Sequence, residues 1–155
     1  MTAASFSRSS LNRLPDPFDT PRAYAGVRSK RLFAWVIDVV LVAILSAFVL
    51  PFTAFLGIFF FPALMLAVGF VYRWWTISNT GATLGMRMMA VELRNADGQV
   101  LDSSEAFWHT MGYTISVLVA PLQLISVLGM LFTPKRQGLT DMVMSTAMVN
   151  RMTRR

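Results

Sequence analysis

Two long stretches of the chain are almost free of charge. Leu32 to Tyr72 is apolar apart from Asp38, and the 34 residues between Asp38 and Arg73 contain no Asp, Glu, Lys or Arg. A second charge-free stretch runs from Ala106 to Pro134. Helices of soluble proteins alternate an apolar stripe with a polar face, so unbroken runs of this length point to a bilayer rather than a water-facing surface. The first run divides at Pro51 into a helix over 32–50 and a second over about 55–75. The connection around Pro51–Ala54 is too short for anything but a tight hairpin. The third apolar segment lies in a helix over about 104–133, which as one rod would measure roughly 40 Å, longer than a bilayer core needs. Pro121 interrupts it near the middle. Either it is a kinked single span, or it bends back at Pro121 as a hairpin or re-entrant pair. The basic residues after it, Lys135 and Arg136 among them, favour the second course, because it returns them to the side of the other cations.

The polar remainder predicts little regular structure. Residues 1–27, rich in Ser, Pro, Asp and Arg, read as a flexible tail preceding a membrane domain over 28–152. Met88 to Leu93 reads as a strand, Asn95-Ala96-Asp97-Gly98 as a tight turn and Val100 to Asp102 as a returning strand, a β element over about 88–102. Ser103, Ser104 and Glu105 mark a helix start near residue 104. A last strand over 146–152 could pair with Met88–Leu93, which requires both on one side of the membrane. The expectation is therefore an all-α polytopic membrane protein, a transmembrane hairpin plus a Pro-broken third segment, with a small cytoplasmic β element.

Composition adds topology more than chemistry. The net charge is +6, and the basic residues flank the apolar runs instead of interrupting them. The positive-inside rule then places both termini in the cytoplasm. Trp35 at one end of the hairpin and Trp74 and Trp75 beside Arg73 read as interfacial anchors. A nucleic-acid partner is not expected, since no basic face alternates with stacking aromatics. With no cysteine and one histidine, metal sites built on thiolates or histidine clusters are excluded. The eleven methionines, with Met86, Met88 and Met89 and then Met142, Met144 and Met148, read as adaptable packing before they read as copper ligands. No cofactor is expected and no catalytic constellation is evident, so the chain is not read as an enzyme.

Asp38 is the most informative residue. A carboxylate at bilayer depth costs roughly 2.5–3.5 kcal/mol on insertion scales unless something relieves it. Arg31 is on the same helix face, about 10.5 Å away along the axis, which is too far for direct contact unless both side chains bend. Arg73 and Arg87 are the other candidate partners. Asp141, in Pro134-Lys-Arg-Gln-Gly-Leu-Thr-Asp141, is either a turn aspartate or the closing member of a cluster Arg31, Asp38, Arg87 and Asp141. His109, the lone histidine, is either a packing residue or a proton relay at the membrane edge.

Three segments taken together resemble the RDD family of bacterial membrane proteins, named for one arginine and two aspartates. They are Arg31-Leu-Phe-Ala-Trp-Val-Ile-Asp38, then Thr80-Gly-Ala-Thr-Leu-Gly85-Met-Arg87 running into Val91-Glu-Leu-Arg-Asn-Ala-Asp97-Gly98, and the segment ending at Asp141 with Ser145-Thr146. The similarity covers about residues 24–151. Family members often have arginine at the start of the third segment, where this chain has His109. The resemblance implies a membrane domain, with transport of unidentified ligands or ion exchange suggested. Two functions follow as expectations: a small transporter or ion-exchange component acting through Asp38 with Arg31, or a non-catalytic accessory subunit docking through its Phe-rich hairpin (Phe52, Phe55, Phe59, Phe60 and Phe61). The small number of spans implies a homo-oligomer or a larger membrane complex.

Overall fold

The computed structural model describes residues 13–53 and 56–151. Residues 1–12 of the expected tail, Ala54 and Phe55 at the hairpin tip, and Met152 at the end of the last strand lie outside the described residues.

Helices α1 (Pro21–Tyr24) and α2 (Val27–Val49) open the chain. Helix α2 starts five residues before the apolar run because Gly26, at φ 68°, takes the left-handed turn ahead of it. Arg28, Lys30 and Arg31 then propagate a helix well. Hydropathy marks where an apolar solvent begins, not where the helix begins. The same reasoning shifts α3 to Phe61–Thr80. Pro62, in its first turn, sets the start later than residue 55. Its end passes the tryptophan pair to Gly81, whose φ of 68° forms a left-handed C-cap with its amide donating to the Ile77 carbonyl at 2.8 Å.

Helix α4 (Leu84–Met88) takes the place of the first residues of the expected strand, since Thr83 caps it by accepting from the Met86 amide. Strand β1 (Val91–Arg94) follows and pairs antiparallel with β2 (Ala147–Asn150), Val91 opposite Asn150 and Arg94 opposite Ala147. The Val100–Asp102 segment is not a strand. The Leu93 amide that could have met it donates instead to Gly81 at 2.7 Å, and Asp102 is taken as the N-cap of α5 (Ser103–Leu118). Asp102 and Glu105 form a reciprocal capping box there.

Helix α5 ends at Val119, and α6 (Ala120–Phe132) leaves it at 114° with Pro121 in its first turn. The break therefore falls where proline predicts it, and the chain turns back. Helix α7 (Leu139–Val143) follows, and its Asp141 lies against His109 in the second turn of α5.

The buried core sits at the polar end of the bundle, not along the helix shafts. Val27, Ala34, Ile77, Met86, Val91 and Leu93 meet there with Leu101, Ala106 and Met148. Over the sheet lie Leu14, Ala23 and Tyr24, packed on Ala147 and Val149. Residues 13–27 are thus part of the fold and not a free tail. The Tyr24 hydroxyl donates to the Pro15 carbonyl at 2.9 Å, and the Asn150 side chain donates to the Arg22 and Ala25 carbonyls. Three scattered apolar residues in a Pro- and Asp-rich segment leave too weak a periodic signal to announce this packing.

The shafts show the reverse pattern. Val36, Val40, Ile44 and Phe48, one turn apart on α2, are 45–72% exposed. Among the described residues one helical stretch, Pro21–Thr53, is long and apolar enough to cross a membrane, and only 22% of its most apolar window is buried. A soluble core helix would have that face covered.

Candidate charged cavity

The first aspartate is held by uncharged donors. Asp38, 1% exposed, accepts through Oδ1 from the Tyr72 hydroxyl at 2.8 Å and the Gly85 amide at 3.0 Å. Its Oδ2 accepts from the Thr83 hydroxyl at 2.6 Å. Arg73 is the only cation paired with it among the described residues, at 3.8 Å. The Tyr72 hydroxyl in turn accepts from the Leu84 amide at 2.8 Å, so α3 and the N-terminal end of α4 close on the carboxylate together. Gly85 makes this possible: a Cβ there would lie 2.2 Å from the Ala34 carbonyl oxygen and 2.9 Å from Asp38 Oδ1. With three hydrogen bonds and a guanidinium, the capacity of the carboxylate is nearly filled.

The second aspartate takes the arginine. Arg31 Nη1 pairs with Asp141 Oδ2 at 2.7 Å and also reaches the Arg136 carbonyl at 3.4 Å. His109 Nε2 meets Asp141 Oδ1 at 2.8 Å. The Gly138 amide donates to Oδ2 at 3.0 Å, so Asp141 caps its own short helix while binding α2 and α5. Thr146, leading into β2, donates to Oδ1 at 3.4 Å. Burial alone would raise the Asp141 pKa, but the Arg31 charge, the His109 hydrogen bond and the Gly138 amide outweigh it. They hold the carboxyl well below its usual range. A depressed folded-state pKa means that this stabilisation is complete above the unfolded carboxylate value of about 3.9 and falls away as pH drops below it. Acid unfolding monitored by circular dichroism in detergent should accordingly begin below about pH 4 in the parent and lose this component in Asp141→Asn.

The expected single cluster of Arg31, Asp38, Arg87 and Asp141 is therefore two hubs. Arg31 and Asp38 form no ion pair with each other, because Asp141 is brought within reach of Arg31 by the return of α6. Arg87 is a correction: it lies exposed in the last turn of α4, with no ion pair among the described residues. The same cap that aims Thr83 and Gly85 at Asp38 turns Arg87 outward. Arg73 takes the place beside Asp38, its guanidinium lying 4.1 Å from the centre of the Tyr113 ring. Trp35 Nε1 donates to the Tyr113 hydroxyl at 3.0 Å. Trp74 is not a free anchor, since its Nε1 donates to the Ser103 carbonyl at 3.0 Å and its ring meets Phe107 edge-on. Trp75 is exposed.

Both hubs face one cavity of about 510 Å³, lined by Arg31, Asp38, Arg73, His109 and Asp141 with Arg28 at its edge. Tyr72, Thr83 and Gly85 were the site residues that sequence reasoning gave no role, although the Gly-Ala-Thr-Leu-Gly segment was a visible signal. Thr110 was also missed. Its hydroxyl and His109 Nδ1 are buried without a hydrogen-bond partner, and both residues line the cavity. Because a carboxylate can only accept, Nε2 carries the hydrogen toward Asp141, so in the neutral ring the Nδ1 lone pair is left over.

The RDD family pattern matches residues 24–145, most of the chain. The protein belongs to the RDD family. It thus joins a membrane-associated family, in keeping with its exposed apolar helix. No curated protein and no solved structure matches it. In this RDD protein the arginine and two aspartates of the resemblance are all buried or nearly so, but arginine and first aspartate belong to different hubs.

Proposed function

We propose that this RDD protein binds an anion in the charged cavity and acts as a small transporter or exchange component of the bacterial inner membrane. The observation that carries the reading is the pair of buried, unpartnered polar atoms, His109 Nδ1 and Thr110 Oγ1, in two residues that line a 510 Å³ cavity. Polar atoms left bare in a fold cost about 1–3 kcal/mol each, so a site that retains them points to an occupant that satisfies them. Charge gives the sign. Arg28, Arg31 and Arg73 face Asp38 and Asp141, leaving one positive charge while His109 is neutral. Asp38, nearly saturated, acts as a brace for α4, and the chemistry moves from the expected Arg31–Asp38 pair to Arg31, Asp141 and His109.

The topology that suits this function is polytopic, with both termini cytoplasmic, α2 and α3 as a hairpin and α5–α6 as a re-entrant pair. The clustering of every charged hub at one end supports it. So few spans imply a second copy or a larger complex around the cavity. The accessory-subunit reading draws on Phe48, Phe52, Phe59 and Phe60, all at least 70% exposed near the hairpin tip.

The test uses vesicles reconstituted with the purified protein and two probes, entry of radiolabelled inorganic phosphate and movement of an acyl-labelled acidic phospholipid between leaflets. Movement of at least one probe should depend on the parent protein, drop about tenfold in His109→Gln, and persist in Phe52→Ala, a factor of ten corresponding to about 1.4 kcal/mol. If neither probe moves in the parent, the transport reading is overturned and the accessory role takes its place.

A further inference from the structure

The cavity does not open only toward water. Leu32 and Trp35 on α2 and Val127 and Leu131 on α6 all line it, yet they are 60%, 44%, 39% and 43% exposed. Residues that line a cavity and also face outward mark its mouth, and here the mouth is apolar on both lips. Helix α6 packs on α5 and α7, leaving its side toward α2 as a gap and not a packed seam. On α2 that gap begins one residue beyond Arg31, at the depth where an apolar run meets basic residues, which is the headgroup level of a bilayer. An apolar slot at the headgroup level leads sideways to a positively charged interior.

We propose that the anion held in this cavity is the headgroup of a hydroxyl-bearing acidic phospholipid, entering laterally between α2 and α6. This rests on the reading of the cavity as an anion site and names the class of its occupant. The phosphodiester oxygens meet Arg28 at the edge, which is exposed and has no ion pair among the described residues, and Arg73 further in. The Thr110 hydroxyl donates to the phosphate. A headgroup hydroxyl donates to His109 Nδ1, whose lone pair is left free because Nε2 serves Asp141. The acyl chains stay outside, against Leu32, Trp35, Val127 and Leu131. The cavity, about 510 Å³, falls within the usual range for small-ligand sites. A phosphatidylcholine headgroup fails on two counts: it carries no hydroxyl for His109, and it brings a quaternary cation toward arginines. A free soluble phosphate accounts for the polar wall but leaves the apolar mouth without purpose.

The experiment is native mass spectrometry of the full chain, delipidated in a mild neutral detergent and offered phosphatidylglycerol and phosphatidylcholine at equal mole fraction. The parent should retain phosphatidylglycerol over phosphatidylcholine by fivefold or more. That preference should disappear in Val127→Trp, which fills the mouth from an exposed position, and fall at least threefold in Thr110→Val, which keeps the side-chain shape. Equal retention of the two lipids, or a preference unchanged in both variants, overturns the proposal. Displacement of phosphatidylglycerol by an equimolar amount of sn-glycerol 3-phosphate overturns the lipid as occupant while leaving an anion site in place. Leaflet or phosphate movement without selective retention would likewise separate failure of this proposal from failure of the transport reading.

Discussion

Replacing Gly85 with alanine should cost about 3–5 kcal/mol of unfolding free energy, the sum of forced repacking and lost buried hydrogen bonds. The added Cβ would meet the Ala34 carbonyl oxygen at 2.2 Å, a backbone atom that cannot rotate away. Helix α4 must then retreat from α2, and retreat draws the Gly85 amide and the Thr83 hydroxyl off Asp38 together. A buried carboxylate is left with the Tyr72 hydroxyl and a guanidinium at 3.8 Å. Gly26→Ala is the control: unlike the helical Gly85, Gly26 is at positive φ, but a Cβ there meets nothing within 4 Å, so only the left-handed strain of about 1–2 kcal/mol is expected. Unfolding of both variants in mixed detergent micelles reads the difference directly. A Gly85→Ala protein as stable as Gly26→Ala would mean that α4 is not docked as described.

The second large effect is Asp141→Asn, expected to cost about 3–5 kcal/mol, the range for removing one member of a buried ion pair. The two side chains have nearly the same shape, so packing is not the cause. If the amide oxygen turns toward His109 Nε2–H, the amide nitrogen must face Arg31 Nη1 and the Gly138 N–H, three donors with no acceptor between them. The opposite orientation sets the amide N–H groups against His109. Adding Arg31→Met should recover part of the loss, since it removes the uncompensated charge.

These effects show how far the sequence could be read. The apolar runs announced the helices, and Pro121 announced the break in the third segment, because both follow from a local physical rule. The pairing of β1 with β2 was foreseeable from two short strand-like segments, although β1 begins three residues later than the expected Met88–Leu93 strand because Thr83 caps a helix through Met88. Helix ends were misplaced wherever hydropathy and helix signals diverge, as at Gly26, Pro62 and Gly81. The ordering of residues 13–27 was missed because Leu14, Ala23 and Tyr24 make no periodic pattern.

The site was legible as a set of residues more than as a set of contacts. Arg31, Asp38, His109 and Asp141 stood out as charged or titratable groups next to apolar runs. Which arginine meets which aspartate depends on the 114° turn between α5 and α6, a tertiary fact with no local signature. Thr83, Gly85 and Thr110 stayed silent because small polar residues and glycine are common in turns. Only the geometry distinguishes a turn glycine from one against which a neighbouring backbone lies.

Arg31 belongs to Asp141 and not to Asp38. A double-mutant cycle in mixed-micelle unfolding tests it most directly, combining Arg31→Met with Asp141→Asn in one cycle and with Asp38→Asn in the other. A coupling of about 2 kcal/mol or more is expected between Arg31 and Asp141, and no more than about 0.5 kcal/mol between Arg31 and Asp38. A coupling to Asp38 equal to or larger than that to Asp141 would contradict that pairing.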